Sequence, residues 1–583
     1  MTDSNPTLIG RVRHVLGSQV TVQLDDQLAG VAPVFRGELQ SVGQIGSLVR
    51  LPQGLIDLVA TVTLVGIAEI TKPPEPANAM QAGERWLQVQ LLGEIDRATG
   101  AFARGVSTYP GLDDEVHFTV REDLATIFPP ARETWIRLGT HAASRSIGVT
   151  LDAGRLVTRH SAVVGSTGAG KTSAVATIVQ AFTDDQWPSS NVVVIDSHGE
   201  YAQALDGRAS VRSVRGSGDK ALRVPFWALP AVDILRAFTG VDPGASVLKA
   251  FESLVLQERL NFLAACSWLT LDAATVTADT PIPFDLRRVW YQLDRDNRET
   301  RGVRGDASTE RLVAEGDPTV LKSAEFEPYA PAGASPFQAP TYGLYARVPE
   351  LLRNGLKDPR LEFLRDVPDP AGSEDPLPAH ISDWLGGTKP ISVLDFSGVP
   401  IDSTDLAVGV VLQLIFEVAT RTRTGEEGIG RPRPVLIVLE EAHRYLSEGS
   451  AEAARTSVNR IAREGRKYGV GLMLVTQRPS ELPDTALSQC GTLIALRLSN
   501  SADQARVRSA LPDNVSGLAE ALPSLRTGEA IVSGEAIVLP SRVLVDLPDP
   551  VPEAGDPDLL SWQVPPTIPD VAVAIERWRG SDA

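Results

Sequence analysis

The sequence predicts an α/β fold: a doubly wound, largely parallel sheet, led by a small β-barrel and interrupted by a helical insertion. Three observations carry this. From residue 146 onward, bare apolar runs alternate with amphipathic stretches, the pattern of strands buried on both faces with helices packed over them. The run "SAVVG" (161–165) leads through "STGAGKT" into the helix-compatible "SAVATIVQAF", a strand–loop–helix unit. Before residue 146 the apolar runs are short, rich in valine and leucine, and punctuated by Gly, Pro and Asp, as in an all-β unit.

Taken in order, residues 1–145 supply "QVTVQL", "GSLVRL", "LVATVTLVG" and "WLQVQLL". A small barrel is the natural closure for such a set, with a plain sandwich as the alternative. Residues 146–229 open the core with "SAVVG" and "NVVVID", and residues 391–545 complete it with "ISVLD", "PVLIVLE", "VGLMLVT" and "GTLIALRL". Between them, residues 230–390 hold helical patterns such as "VLKAFESLVLQERLNFLAA" and "PFDLRRVWYQLDRD", expected as a helical subdomain set into the core. Residues 546–583 begin with "LPDPVPEAGDPD" and end with the short helix "DVAVAIERWRG". That extension is too small to fold alone and is expected to brace a neighbouring surface.

Composition sets limits. At 583 residues the chain exceeds one ordinary core, so two to four units are expected. With 43% hydrophobic and 22% charged residues it reads as globular. Two cysteines, Cys266 and Cys490, make neither a disulfide framework nor a metal site. No run approaches the ~18 apolar residues of a membrane span, and the opening "MTDSNPTLIG" is unlike a leader. A cytoplasmic protein without a membrane is expected. The net charge of −18 argues against coating nucleic acid over the whole surface. Any such contact must be local.

The loop carries the first chemistry. Gly165, Gly170, Lys171 and Thr172 stand at the G-x-x-x-x-G-K-[ST] spacing. The backbone of Gly165, Ser166, Thr167, Gly168, Ala169, Gly170, Lys171, Thr172 and Ser173 is therefore expected to cradle the phosphates of ATP. Lys171 would reach the β/γ oxygens, and Thr172 would hold Mg²⁺. "PVLIVLEEAH" ends a buried strand in two acids. Glu440 is placed to hold Mg²⁺ through water, and Glu441 to polarise the attacking water. "VVVIDSHGEY" puts Asp196, with His198 and Glu200 after it, at the same edge as a further support for the metal. Gln477 in "LVTQRP" can sense the γ-phosphate or orient water, or can simply cap its loop. Arg460, Arg463 and Arg466 recur at i, i+3 and i+6 along one helix. They make either a solvated basic face or, through Arg466 or Arg463, a finger for a neighbour's nucleotide. Arg159, ahead of the loop strand, is a second candidate.

With these residues in view, the chain resembles the HerA-type translocases of the HerA–FtsK branch of RecA-like P-loop ATPases. The stretches carrying the match are "RHSAVVGSTGAGKTS", "IDSHGEY", "ISVLDFSGVP", "LIVLEEAHRY", "REGRKYGVGLMLVTQRPSELPDTALSQCGTLIALRLSN" and "LPSLRTGEAIVSGEA". The leading β unit is similar to that family's HAS-barrel through "GRVRHVLGSQVTVQL" and "VGQIGSLVRLP". Two departures, Ser197 where proline is common and Glu440 where aspartate is common, leave the needed chemical groups in place. The resemblance implies a homo-hexameric ring with nucleotide sites between subunits and double-stranded DNA in the central channel. It also implies a nuclease or effector partner, and the barrel, with exposed rims and edge strands and no catalytic constellation, is its expected docking face. NurA-type nucleases would serve DNA-end processing, and sirtuin-like or other effectors anti-phage defence.

Three readings compete. One is an ATP-driven motor that feeds a nuclease, and the second an ATP-regulated ring that assembles an effector without sustained translocation. The third, a conjugation- or secretion-type ATPase moving protein or single-stranded DNA at a membrane, is opposed by the lack of an apolar span and by the β-barrel. For DNA contact, "GRASVRSVRGSGDKALR" places Arg208, Arg212, Arg215 and Lys220 in one expected loop with only Asp219 opposing them. An ordinary surface turn is the alternative. "NRETRGVRGD" is a weaker stretch of the same type.

Overall fold

The computed structural model describes residues 7–25, 34–35, 38–39, 44–67, 85–129, 133–330, 333–372, 374–399, 401–423, 425, 427–447, 452–512, 516–553, 562–563 and 571–578. It opens with β1 (Leu8–Leu16), β2 (Gln19–Leu24), the two-residue pair β3 (Val34–Phe35) and β4 (Glu38–Leu39), β5 (Leu48–Gln53), β6 (Ile56–Ile67), β7 (Arg85–Asp96), β8 (Ala101–Arg104) and β9 (Glu115–Phe118). The order β2-β1-β9-β5-β6-β7-β8, with β2 also paired to β7, closes a barrel. Alternation along each strand fills its interior with Ile9, Val12, Val20, Val22, Leu51, Leu58, Val62, Leu87 and Val89. The expected barrel is present.

Its expected boundary at residue 145 is not. After the short helix α1 (Arg121–Ile127), β10 (Trp135–His141) and β11 (Ser144–Asp152) leave the barrel and join the large core sheet. β10 pairs with a strand more than 400 residues later, Gly139 opposite Val545. No local signal distinguishes a barrel strand from an edge strand of this kind. One face of the barrel, through Leu48, Val59 and Leu92, packs on Leu124, Ile127, Ile147 and Leu539.

The core continues with α2 (Ala153–Thr158), β12 (Ser161–Val164), α3 (Lys171–Ala181), β13 (Val192–Asp196), α4 (Tyr201–Ala204) and β14 (Ala209–Ser213). The insertion follows as α5 (Ala231–Thr239), α6 (Ala245–Ala265) and α7 (Leu286–Arg298), then the short strands β15 (Thr300–Arg301), β16 (Leu312–Ala314), β17 (Glu325–Phe326) and β18 (Phe337–Gln338), then α8 (Val348–Lys357) and α9 (Pro376–Trp384). The core resumes with β19 (Ile391–Asp395), α10 (Ile401–Arg421), β20 (Val435–Leu439), α11 (His443–Leu446), α12 (Glu452–Tyr468), β21 (Val470–Thr476), α13 (Asp484–Ser488), β22 (Thr492–Leu496), α14 (Ser501–Ala510), α15 (Ser516–Ala519), β23 (Glu529–Gly534), β24 (Ser541–Val545) and α16 (Ala572–Trp578).

These strands form one eleven-stranded sheet, β11-β10-β24-β23-β22-β12-β21-β20-β13-β19-β14. From β22 to β14 neighbours run parallel, and beyond β22 they run antiparallel. Every residue of β12, β13, β20, β21 and β22 is buried, which explains the bare apolar runs in the sequence. Val163, Val192 and Val194 face α3, while Ala162, Val164, Val193 and Ile195 face the other side. The second face carries α10, α12 and the insertion. Ile234, Leu235, Phe238, Phe251 and Trp290 of the insertion share one apolar cluster with Val408, Ile415 and Ile461 of the core. The insertion is therefore fused to the core rather than set off as a separate subdomain. α10 is long and apolar enough to cross a bilayer by composition, but most of it lies buried in that cluster.

The C-terminal extension braces the core itself. Thr177 Oγ1 donates to the Asp546 carbonyl at 2.7 Å, Gln180 Nε2 to that of Pro550 at 2.8 Å, and Glu553 N to that of Glu200 at 3.1 Å. Residues 554–561, 564–570 and 579–583 of that extension lie outside the described residues.

Candidate nucleotide site

The site sits at the C-terminal edge of the parallel strands, where β12 turns into α3. The turn needs left-handed backbone at Gly168 (φ +71°) and Gly170 (φ +97°). A side chain at Gly165 would meet Leu496 Cβ at 2.9 Å, so glycine there lets the loop lie against β22. Neighbouring segments fix the loop from outside. Ser166 N donates to the Arg497 carbonyl at 2.8 Å and Gly528 N to that of Ala169 at 3.0 Å. Ser499 N donates to Ser166 Oγ at 3.1 Å, and Thr167 Oγ1 to Gln477 Oε1 at 2.7 Å. The turn carrying Thr527 and Gly528 is held by buried Glu529, which accepts from Arg542 Nη2 at 2.6 Å; Arg542 Nη1 in turn reaches the Ile45 carbonyl of the barrel at 2.9 Å. Residues 171–173 form the first turn of α3, whose N–H groups lack helical partners and face the loop.

Lys171 is half-buried, with Nζ 3.4 Å from the Ser166 carbonyl. Burial lowers its pKa, and the charges of Glu441, Glu440 and Glu200 oppose that. One lysine thus stands among three acids. Thr172 Oγ1 donates to Glu200 Oε2 at 2.9 Å.

Asp196 departs from the sequence expectation. It is buried, and its two oxygens accept from the N–H groups of His198 (3.1 Å), Gly199 (2.8 Å) and Tyr201 (3.0 Å). It folds the turn after β13, and three backbone N–H groups already occupy its two oxygens. The carboxylate beside Thr172 is Glu200, four residues on. The turn that Asp196 folds is what brings it there.

Glu440 and Glu441 follow β20. Glu440 is buried and accepts from the Tyr201 hydroxyl. Burial, offset in part by that hydroxyl and reinforced by Glu441, Asp196 and Glu200, pushes it up to about 8. Such an acid is primed to give up its proton to a cation. Glu441 has φ +50°, a conformation a non-glycine residue keeps only where its surroundings hold it. Burial would raise its pKa, but His443, Lys171 and His198 outweigh it and hold the carboxyl below its usual range. The two adjacent acids are thus driven to opposite protonation states, one neutral and one charged.

The arginines lie elsewhere. α12 runs back across the sheet, so its C-terminal end, where Arg466 stands, meets the N-terminal end of β21. The helix spans 17 residues, about 25 Å of axis. Arg463 and Arg466 are exposed and have no ion pair or hydrogen bond among the described residues. Arg460 is different: it pairs with Glu417 and lies over the Phe416 ring at 5.0 Å, tying α12 to α10. Arg159 precedes β12 at the same N-terminal edge, 3.1 Å from Glu535. Neither Arg159 nor Arg466 can reach its own phosphate loop.

The expected DNA-gripping loop is not one loop. Residues 209–213 form β14, the edge strand beside β19. Five strand residues, about 17 Å, separate exposed Arg208 at one edge from Arg215 and Lys220 at the other. Arg212 is tied to the Asp219 carbonyl and to Asp383 at 3.0 Å. Arg215 packs against Gly398, where any side chain would collide with its guanidinium. In the second stretch, Arg298 pairs with Asp294, Arg301 with Glu299, and Arg304 lies over Phe337.

A phosphate loop backed by adjacent acids on a doubly wound sheet defines a P-loop ATPase. The comparisons carry this to a family. Residues 136–415 match the central domain of helicase HerA, and residues 390–550 match the helicase HerA-like C-terminal domain. The chain belongs to the HerA helicase family. It is 28% identical over 443 residues to the DNA double-strand break repair helicase HerA of Pyrococcus furiosus, covering 70% of this chain and 69% of the relative. It is 27% identical over 487 residues to the protein of that name from Sulfolobus acidocaldarius, covering 81% and 80%. A probable helicase of Methanocaldococcus jannaschii is 26% identical over 463 residues, 78% of each chain. Among solved structures, VirB4 of Thermoanaerobacter pseudethanolicus aligns with 71% of this chain and 96% of its own, at 12% identity and a TM-score of 0.46.

Proposed function

We propose that this chain is an ATP- and Mg²⁺-dependent cytoplasmic motor on double-stranded DNA, working as a hexameric ring with a nuclease or effector partner. The observation that carries this is the separation of the two charged half-sites. The phosphate loop and acids lie at one edge of the sheet, and Arg159 and Arg466 at the other. An adjoining subunit would bring the second set to the first.

In this reading the loop backbone and Lys171 bind the triphosphate, Thr172 and Glu440 hold Mg²⁺, and Glu441 takes a proton from the attacking water. The donor set fits: a hydroxyl already bonded to a carboxylate, and a buried acid among other acids, would suit a hard divalent cation. Bound Mg²⁺ supplies charge neutralisation on the phosphates. Gln477, bonded to Thr167, connects the state of the loop to β21. Arg466 from the neighbour, with Arg159 or Arg463 beside it, balances the charge that develops on the γ-phosphate. The relatives named as DNA double-strand break repair helicases favour DNA as the translocated polymer. Exposed Arg215 and Lys220, at the sheet edge that also carries the nucleotide site, are the DNA contacts that remain.

The barrel is the docking face for the partner, since it contains no catalytic constellation. A deletion that tests this must stop near residue 118, because removing 1–145 would strip β10 and the start of β11 from the core sheet. The motor reading is tested by steady-state ATPase with and without duplex DNA, alongside native mass spectrometry. Six-copy rings whose turnover rises with duplex DNA are expected. Turnover indifferent to DNA would favour the ATP-regulated scaffold instead.

A further inference from the structure

We infer that His443 is a positioning residue for ATP hydrolysis: through Nδ1 it holds the Glu441 carboxylate in register with Thr476, at the end of β21. The inference rests on Glu441 being the group that activates water. His443 Nδ1 lies 3.2 Å from Glu441 Oε2 and 3.0 Å from Thr476 Oγ1. Both the imidazole and the carboxylate are nearly buried, with side chains 12% and 11% exposed. Glu441 Oε2 has no in-line hydrogen bond among the described residues. It is a buried anion oxygen with the imidazole nitrogen beside it at 3.2 Å.

The backbone explains why steadying is needed. Glu441 sits at φ +50°, immediately before α11, a strained position that returns to an ordinary conformation unless held. Ala442 N is pinned to the Val475 carbonyl at 2.9 Å, and the next residue is His443. Thr476 is itself fixed, because its Oγ1 accepts from Arg478 N at 3.0 Å and its carbonyl accepts from Gly165 N at 3.3 Å. The chain of contacts thus runs from the carboxylate through the ring to the strand that adjoins the phosphate loop and carries Gln477. A carboxylate oxygen and a threonine oxygen both face Nδ1. The ionised carboxylate favours the proton there, leaving Nε2 outside this contact. His198 approaches the other oxygen, Oε1, only at 3.9 Å and is half-exposed, so it cannot substitute.

The side-chain geometry makes the test specific. Asparagine can place an amide N–H near the position of Nδ1, whereas glutamine places one near Nε2. In the full-length protein with Mg²⁺ and duplex DNA, His443→Ala and His443→Gln should each lower kcat by about 10- to 100-fold, the cost of a misaligned catalytic group. KM for ATP and affinity for a fluorescent non-hydrolysable ATP analogue should stay near wild type. His443→Asn should recover most of the rate. On a Glu441→Gln background His443→Ala should cost nothing more, since the group it positions is gone. Wild-type turnover in His443→Ala, with Glu441→Gln inactive, overturns the inference alone. Equal losses in Asn and Ala, or loss of analogue binding, overturn it in favour of a packing role. An active Glu441→Gln enzyme overturns the reading of Glu441 and the inference with it.

Discussion

The two edges of the core sheet differ in what they hold. At the C-terminal edge a lysine is surrounded by Glu440, Glu441 and Glu200, and a threonine hydroxyl is already committed to a carboxylate. At the N-terminal edge Arg466 and Arg463 are exposed and unpaired among the described residues, and Arg159 has one partly exposed partner, Glu535. Acid that needs a cation is collected on one side, and cation that lacks an acid on the other. Each chain thus carries an acid-rich edge and an arginine-bearing edge facing away from each other; in the proposed ring these would meet between neighbours.

Substitutions can break this contrast from either side. The largest effect is expected at Lys171: Lys171→Ala removes the charge that meets the β/γ oxygens and should abolish ATP hydrolysis in a steady-state phosphate-release assay. At the opposite edge, Arg466→Ala should cost ~10³-fold in turnover while leaving nucleotide binding intact, because the lost charge acts on the transition state of another subunit. Glu441→Gln should lose ~10²-fold or more yet still bind ATP, measured by analogue titration. If it fails to bind, Glu441 is structural and Glu440 becomes the preferred acid.

The smallest effects are in stability, and there the edges respond to pH with opposite sign. His160, buried before β12 and accepting from Leu472 N at 3.0 Å, is held near 4 by burial, as is His141 on β10. Unfolding lets both take up protons below about 6.5, so their contribution is present above that pH and lost as it falls towards 4. At pH 5 each should cost about 2 kcal/mol relative to neutral pH, read from urea unfolding. Glu440 behaves inversely. Its carboxyl is neutral below about 8 in the folded chain but only below about 4.5 when unfolded, so its contribution is present below about 4.5 and lost as pH rises from there through 8. The Tm of nucleotide-free Glu440→Gln protein relative to the parent should therefore climb steadily from about pH 5 to about pH 9.

The same contrast explains what the sequence disclosed. The phosphate loop was legible because its glycines, lysine and threonine act through a spacing of eight residues, and the adjacent acids because a buried strand announces its own end. Asp196 misled because an acid closing a strand looks the same whether it faces a metal or its own turn. Only the three N–H groups it accepts from show that it holds its own turn, the turn that brings Glu200 beside Thr172. β10 falls on the barrel side of residue 145 because its partner, β24, lies about 400 residues away. β14 resembles a loop in the sequence because "ASVRS" is polar on a half-exposed edge. The position of Arg466 relative to the loop needed the direction of α12 across the sheet, which no local pattern contains.

The claim that the half-sites meet between subunits is tested most directly by mixing two inactive proteins. Lys171→Ala subunits keep the N-terminal edge intact, and Arg466→Ala subunits keep the C-terminal edge. Co-assembled and verified by native mass spectrometry, mixed rings should regain part of the ATPase activity, highest near equal proportions, because some interfaces then join an intact phosphate loop to an intact arginine. Mixed rings that form and stay inactive at every ratio would contradict the account and return Arg466 to a role within its own chain.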